Sequence, residues 1–337
     1  MRPSSRRSAG SRTTSPAEHA FTSQWPPPAP GGGHCASRRR YAVSVGHVDG
    51  FERDGLRFRV RDGGPADGDL VVLLHGFPQD STCWREVEPL LHAGGCRTLA
   101  PDQRGYSPQA RPRHTGAYAV RELVGDVLAL LDGAGADRAH IVGHDWGAAI
   151  AWELAIRHPH RVTTLTTLST PHPTAFRQAL RTTDQRRRSW YMAAFQVPVL
   201  PERLLLRKLG PTLRRGGLPP ERVAHYVARF ATTDDLRGPI GWYRDARPRT
   251  RSRSGKAVST RGGPPRPPRS TVVTVPTTYL WGSQDAALGA YGAHRTGEFV
   301  QAPYRFVALD AGHWLPECQP AVVAAEVLSR IAGTTSA

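Results

Sequence analysis

The spacing of apolar residues changes several times along the chain, and those changes outline its architecture. Leu56 to Val60 alternates apolar and polar residues like a half-buried strand, whereas Leu70 to Leu74 is a short continuous apolar run suited to the middle of a sheet. Arg97 to Ala100 is a third candidate strand. From Tyr118 to Leu131 the period becomes helical, with Val120, Leu123, Val124, Val127, Leu128 and Leu131 on one side. A buried strand at Ala139 to Val142, a helix from Trp146 to Arg157 and a strand from Val162 to Leu168 follow. Strands and helices in alternation predict an α/β fold, with a mainly parallel central sheet covered by helices on both faces.

At Pro171 the alternation stops. Residues 171–243 are mostly helical in pattern, with aromatic and Leu-rich stretches separated by Pro198, Pro201, Pro211 and Pro219-Pro220. Strand and helix signals then resume at Val272 to Trp281, Leu288 to Val300, Tyr304 to Leu309 and Ala321 to Ile331. The expected organisation is one core, residues 49–170 with 271–337, interrupted by an inserted helical cap at 171–243.

Composition changes this picture in two places. The chain of 337 residues carries a formal charge of +17, which invites a nucleic-acid reading. Residues 1–48 hold seven Arg against Glu18, and residues 244–270 hold eight Arg and Lys256 against Asp245. Those two segments account for most of the excess, so the remainder is close to neutral. Both are rich in Pro, Gly and Ser, and their basic stripes lack interleaved aromatics, so we expect a disordered basic extension and a basic flexible linker rather than a nucleic-acid interface. Four cysteines, at 35, 83, 96 and 318, show neither a Cys-x-x-Cys pair nor a companion His at metal spacing. Arg6-Arg7 is followed by Ser, Gly and Thr rather than by an apolar stretch, and no run of about 18 apolar residues occurs. The expectation is a soluble, cytoplasmic protein with no metal.

Four polar motifs sit where this pattern places strand ends. Gly143-His144-Asp145-Trp146-Gly147 lies between a strand and a helix, and its glycines permit the tight turn that exposes a nucleophile, here a carboxylate. His75-Gly76-Phe77-Pro78 follows the strand at Leu70 to Leu74, where the Phe77 amide, with that of Trp146, can form an oxyanion hole. Asp285 and His313 each follow a later strand. Taken alone, each could be a helix cap, a turn, a surface acid or a core histidine. Together, nucleophile, acid and histidine occur in the chain order of an α/β hydrolase.

These motifs, with Asp102-Gln103-Arg104-Gly105-Tyr106, resemble the epoxide hydrolase branch of the α/β-hydrolase superfamily over about residues 50–243 and 272–334. The resemblance implies that Asp145 is the nucleophile, His313 the general base and Asp285 the acid that orients it. It also implies two cap tyrosines that bind the epoxide oxygen, Tyr191 in Tyr-x-x-x-Phe-Gln and Tyr243 in Trp-Tyr-Arg. His75, Phe77, Trp146, Phe195 and Trp314 are the expected substrate contacts. The implied partners are a small epoxide and water; no cofactor, nucleic acid or membrane is called for, and a homodimer is compatible. A haloalkane dehalogenase is the nearest alternative, because it uses the same Asp-His-acid set and a Trp N–H that Trp146 could supply. The paired tyrosines and Phe77 weigh against it, and Asp in the elbow weighs against a serine esterase. A catalytically impaired hydrolase-fold protein and a nucleic-acid binder are the remaining alternatives.

Overall fold

The computed structural model describes residues 47–246 and 271–335. Most of the two Arg-rich segments lies outside the described residues. The described chain opens with the antiparallel pair β1 (Gly50–Arg53) and β2 (Leu56–Gly63), joined by Asp54-Gly55, both at positive φ. Then come β3 (Asp69–Leu74), α1 (Glu88–Ala93), β4 (Cys96–Pro101), α2 (Val120–Gly133), β5 (Ala139–His144), α3 (Trp146–Arg157) and β6 (Val162–Leu168). Six helices follow without a strand: α4 (Pro173–Ala179), α5 (Thr183–Arg188), α6 (Trp190–Ala194), α7 (Leu200–Arg215), α8 (Pro220–Ala228) and α9 (Thr233–Asp245). The sheet resumes with β7 (Thr277–Gly282), α10 (Ala290–Arg295), β8 (Tyr304–Leu309), α11 (Leu315–Cys318) and α12 (Pro320–Thr335).

The strands form one sheet in the order β1-β2-β4-β3-β5-β6-β7-β8, parallel from β4 to β8 and antiparallel at the β1-β2-β4 edge. This is the mainly parallel α/β sheet expected from the sequence. The central strands read as unbroken apolar runs because both faces are covered; Val71 to Leu74 and Ile141 to Val142 are almost wholly shielded from solvent. Against the sheet, α2 packs with α3, and α1 packs with α12. The parallel strands place their C-terminal ends on one edge, where open α/β sheets bind ligands. That edge carries the turns after β3, β5, β7 and β8, which hold all four polar motifs.

Helix α9 is seated against this edge by close backbone approach. A Cβ on Gly238 would run into Gly105, and one on Gly241 would run into the Tyr118 ring. A capping box at Thr232 and Asp235 starts the helix. Trp242 Nε1 donates to the Arg104 carbonyl (2.9 Å), and the Arg104 guanidinium donates to Asp126 through Nε (2.8 Å) and Nη2 (2.6 Å). Arg53 Nη1 adds a third bond to Asp126 (2.9 Å). Burial pushes the Asp126 carboxyl up despite these partners. Asp126→Ala would take from buried Arg104 its carboxylate partner, leaving only the Ala117 carbonyl, and from Arg53 one of two carboxylates, so a stability loss of about 3–5 kcal/mol is expected in urea unfolding. A loss below about 1 kcal/mol would mean that the pairs contribute like exposed ones.

The expected linker began at residue 244, but α9 continues through Asp245. Arg244 belongs to the fold: it donates to both Glu202 oxygens (2.6 and 3.1 Å) and to the carbonyls of Phe195 (3.0 Å) and Val197 (2.8 Å). A buried carboxylate partner holds this arginine in place, whereas the composition of its neighbours had suggested a loop. No helix among the described residues is long and apolar enough to cross a membrane.

Candidate active site

Asp145 occupies the turn from β5 into α3 with φ 51° and ψ −117°. A non-glycine residue held there stores roughly 1–3 kcal/mol of backbone strain, tolerated when the surroundings over-determine it. They do so here. A Cβ at Gly147 would collide with the carbonyl oxygens of Leu74 and His75, one at Gly143 with the Gly147 carbonyl, and one at Gly76 with the Asp145 side chain itself. The glycines of the motif therefore let three backbone segments close around one carboxylate.

The structure brings together the residues named for the chemistry. The Phe77 N–H donates to Asp145 Oδ1 (2.9 Å), and the Trp146 amide is the first of α3. His313 Nε2 lies 3.5 Å from Asp145 Oδ2, and its Nδ1 lies 2.7 Å from Asp285 Oδ2. The other oxygen of Asp285 accepts the Ala287 (2.7 Å) and Leu288 (3.0 Å) amides, which fixes the carboxylate that faces the imidazole. Burial by itself would raise Asp145, but the hydrogen bond and charge of His313, then His144 and the Phe77 amide, bring its pKa below the ordinary value. Burial likewise opposes charge on His313, yet Asp285 and Asp145 together push it up to about 10. The resting pair is thus carboxylate and imidazolium.

Five aromatic rings are grouped at Asp145. Tyr243 meets Trp146 and Phe195 edge-to-face at 5.0 Å, Phe77 at 5.5 Å and Tyr191 at 5.9 Å between centroids. Burial first, and the Asp145 charge second, raise both tyrosines above the ordinary phenol value, so both remain protonated donors. Phe195 closes the group against Phe77 and Tyr191. Trp314 lies elsewhere in the site, edge-on against His313 at 4.9 Å.

His75 departs from its expected role as a substrate contact. Its ring is fully buried, Nδ1 lies 3.0 Å from the Gly76 carbonyl, and Nε2 accepts the Gln103 amide (3.1 Å). With both nitrogens committed to backbone, it ties the turn after β3 to that after β4 and has no polar atom left for a ligand. Four residues near the site were not singled out from the sequence: Gln79, Ser169, Glu317 and, within a quoted motif, His144. Ser169 Oγ donates to the His313 carbonyl (2.9 Å), which the His144 ring also approaches (Nε2, 2.8 Å). An open recess lined by Arg57, Arg59, Arg61, Ser81 and Asp102 contains none of the chemical residues and is not this site.

Known proteins place the chain in a family. Residues 69–317 match the family model described as alpha/beta hydrolase fold. The chain is 31% identical over 325 residues to epoxide hydrolase A of Mycobacterium tuberculosis (strain ATCC 25618 / H37Rv), covering 84% of this chain and 96% of that one. It is 32% identical over 282 residues to epoxide hydrolase 3 of Xenopus tropicalis, covering 79% and 72%. Among solved structures, that of epoxide hydrolase A from Mycobacterium thermoresistibile superposes with a TM-score of 0.68 at 28% identity, over 84% of this chain and 97% of that one.

Proposed function

The chain belongs to the α/β-hydrolase family and, within it, to the epoxide hydrolase branch, and on that premise we propose that it opens an epoxide to a vicinal diol through an ester on Asp145. The helices α4–α9 act as a cap whose Tyr191 and Tyr243 hold the epoxide oxygen. A carboxylate oxygen of Asp145 attacks a ring carbon, a new C–O bond forms, and the ring C–O bond breaks with its electrons moving to the substrate oxygen. That oxygen gains a proton whose net source is the His313 imidazolium, the tyrosine hydroxyls stabilising the alkoxide as it develops.

Ester formation changes His313. Asp145 is no longer a carboxylate, so two of the influences that raise the imidazole disappear while burial, the largest influence, continues to lower it. His313 thereby becomes a neutral base when a base is needed. It takes a proton from water, the hydroxide adds to the ester carbonyl, and the Phe77 and Trp146 amides bind the oxyanion. The acyl C–O bond breaks, the departing diol oxygen takes the proton from His313, and the acid formed on Asp145 returns its proton to the imidazole. Carboxylate and imidazolium are restored.

The observation that carries this reading is the pairing of half-buried Tyr191 with buried Tyr243 beside an aspartate held in a nucleophile elbow. The reading extends to a cytoplasmic enzyme, supported by the unpaired thiols of Cys83, Cys96 and Cys318. To test it, the full chain is given styrene oxide, an aliphatic epoxide and 1-bromoalkanes, and diol and halide are assayed separately. Diol without halide is expected. Halide release with no diol from any epoxide would replace this reading with a dehalogenase, in which Trp146 becomes the residue to substitute.

A further inference from the structure

Behind the catalytic histidine runs a buried chain of polar groups that the two-step mechanism does not use. Glu317 of α11 accepts at Oε1 from Gln79 Nε2 (2.7 Å) and from the Tyr226 hydroxyl (2.9 Å), while its Oε2 is buried with no partner. Gln79 Oε1 faces His144 Nδ1 (2.8 Å), and His144 Nε2 faces the backbone carbonyl of His313 (2.8 Å). Gln79 and His144 are wholly inaccessible to solvent. The chain thus links α11 to the backbone of the general base through the residue that precedes the nucleophile.

Counting protons along this chain exposes a mismatch. As oriented, both His144 nitrogens face carbonyl oxygens, an arrangement that only an imidazolium satisfies. Burial first, and the charge of His313 second, lower His144 to about 4, so it is neutral and has a single N–H. The oxygen and nitrogen of an amide are exchanged by a half-turn, and the hydrogen-bond network decides between the two positions. With the Gln79 amide turned, every contact gains one donor and one acceptor, provided that Glu317 carries a proton. Glu317 O–H then donates to the Gln79 carbonyl, the Gln79 N–H donates to His144 Nδ1, and the His144 Nε2–H donates to the His313 carbonyl. Tyr226 still donates to the Glu317 hydroxyl oxygen, and only the long Gly76 N–H contact (3.4 Å) to Gln79 is given up. A neutral acid also explains the unpartnered Oε2, since a bare carboxylate oxygen buried without a donor is far more costly than a carbonyl oxygen.

We propose that Glu317 is a positioning residue for His313: as the neutral acid it fixes the Gln79 amide and the Nε2–H tautomer of His144, and so clamps the His313 carbonyl. The groups facing Glu317 are Arg222 and Tyr226 from α8, Gln79 from the turn after β3, Cys83 from the short turn that follows it, and the neighbouring thiol of Cys318; Asp80, next to Gln79, is engaged by Arg229 and His225. Burial dominates among these influences and raises Glu317 to about 7, against the hydrogen bonds of Gln79, Tyr226 and its own backbone amide and the Arg222 charge. As pH rises past neutrality Glu317 ionises, the amide turns back, and His144 must carry its proton on Nδ1. A lone pair then faces the His313 carbonyl, leaving Ser169 as its side-chain donor.

The inference rests on His313 being the general base, and its test separates the two. In the full chain labelled with ¹⁵N-histidine, the His144 tautomer is read from its ring nitrogen shifts, assigned with the His144→Gln variant. Nε2–H is expected at pH 6 and Nδ1–H at pH 8.5. In Glu317→Gln the carboxamide has no charge to lose and can donate to Gln79 with the Tyr226 hydroxyl as its second acceptor, so whichever His144 tautomer it sets, Nε2–H when it donates, should be the same at pH 6 and pH 8.5. This readout requires no turnover, so it stands if no epoxide is converted. Single-turnover hydrolysis of the ester formed with styrene oxide is then followed from pH 5.5 to 9. The wild type should lose rate on the alkaline side, by about three- to tenfold for one lost hydrogen bond. Glu317→Gln should lack that alkaline step, and Glu317→Leu should be slow throughout. An Nδ1–H tautomer at pH 6, or an alkaline step that survives in Glu317→Gln, would overturn the proposal. Equal profiles for the Gln and Leu variants would do the same, because they would show that Glu317 acts only by filling space.

Discussion

After one turnover with an epoxide, His313→Gln protein is expected to be heavier by the whole mass of the substrate and to stay so. Asp145 is still present to attack, Tyr191 and Tyr243 are still present as donors, and solvent can supply, more slowly, the proton that His313 would have given, but no base activates water against the ester. Turnover should fall by about 10²- to 10⁴-fold, the range for loss of a positioned acid–base group. The mass gain should map to the peptide containing Asp145 and disappear in Asp145→Asn. Wild-type protein allowed one turnover in ¹⁸O-water should release unlabelled diol and keep the label in the Asp145 carboxylate, since the diol oxygen comes from the enzyme. Label in the first-turnover diol would rule out attack by Asp145, and conversion without any adduct in His313→Gln would remove His313 as the base. Both measurements address chemistry that the 3.5 Å approach of His313 Nε2 to Asp145 makes geometrically available.

How much of this could be read from sequence depended on whether a signal was local. The helix from Trp146 to Arg157 and the strands Val162–Leu168 and Tyr304–Leu309 fall where periodicity puts them, because each is bounded by a turn or a polar switch. The strand expected from Val272 begins only at Thr277. Pro276 interrupts it, and Val273 makes just an isolated bridge to Val300. The helix expected from Leu288 to Val300 is shorter, from Ala290 to Arg295, and tightens into a 3-10 turn before Phe299. β1, a four-residue strand, was not foreseen, although Asp54-Gly55 between two β-type runs is a hairpin signal.

The candidate site divides along the same line. The positions of Asp145, Phe77, Asp285 and His313 were legible because each follows a strand in a short motif, three of them with a titratable side chain and Phe77 through its backbone amide. Glu317 was not, since nothing in Leu315-Pro316-Glu317-Cys318 distinguishes a buried acid from a solvated one. Its role comes from Gln79 and Tyr226, which lie 238 and 91 residues away in the chain. Arg244 shows the converse. Composition assigned it to a loop, whereas Glu202 and two carbonyls anchor it within the helix that carries Tyr243.

That anchoring matters for the tyrosines, whose removal should have the second large effect. Tyr191→Phe and Tyr243→Phe each delete one hydroxyl and keep the ring, so the edge-to-face contacts among Phe77, Trp146, Phe195 and the two tyrosines should survive. Each single variant is expected to slow ester formation by roughly 10- to 10³-fold, and the double variant to be nearly inactive. An alkoxide needs a donor as it departs, and two donors sharing one oxygen compensate for each other only in part. Hydrolysis of the ester should change little, because its oxyanion lies at the Phe77 and Trp146 amides. Thermal midpoints close to wild type would show that any rate loss is chemical. The buried hydroxyls also make a directional prediction for pH. Burial and the Asp145 charge hold both phenols above the ordinary value, so ester formation should not fall through tyrosine ionisation anywhere below pH 10. If both single variants form ester at the wild-type rate, the pair packs the cap without touching the leaving oxygen, and the distinction from a halide-releasing enzyme then rests on the product assay alone.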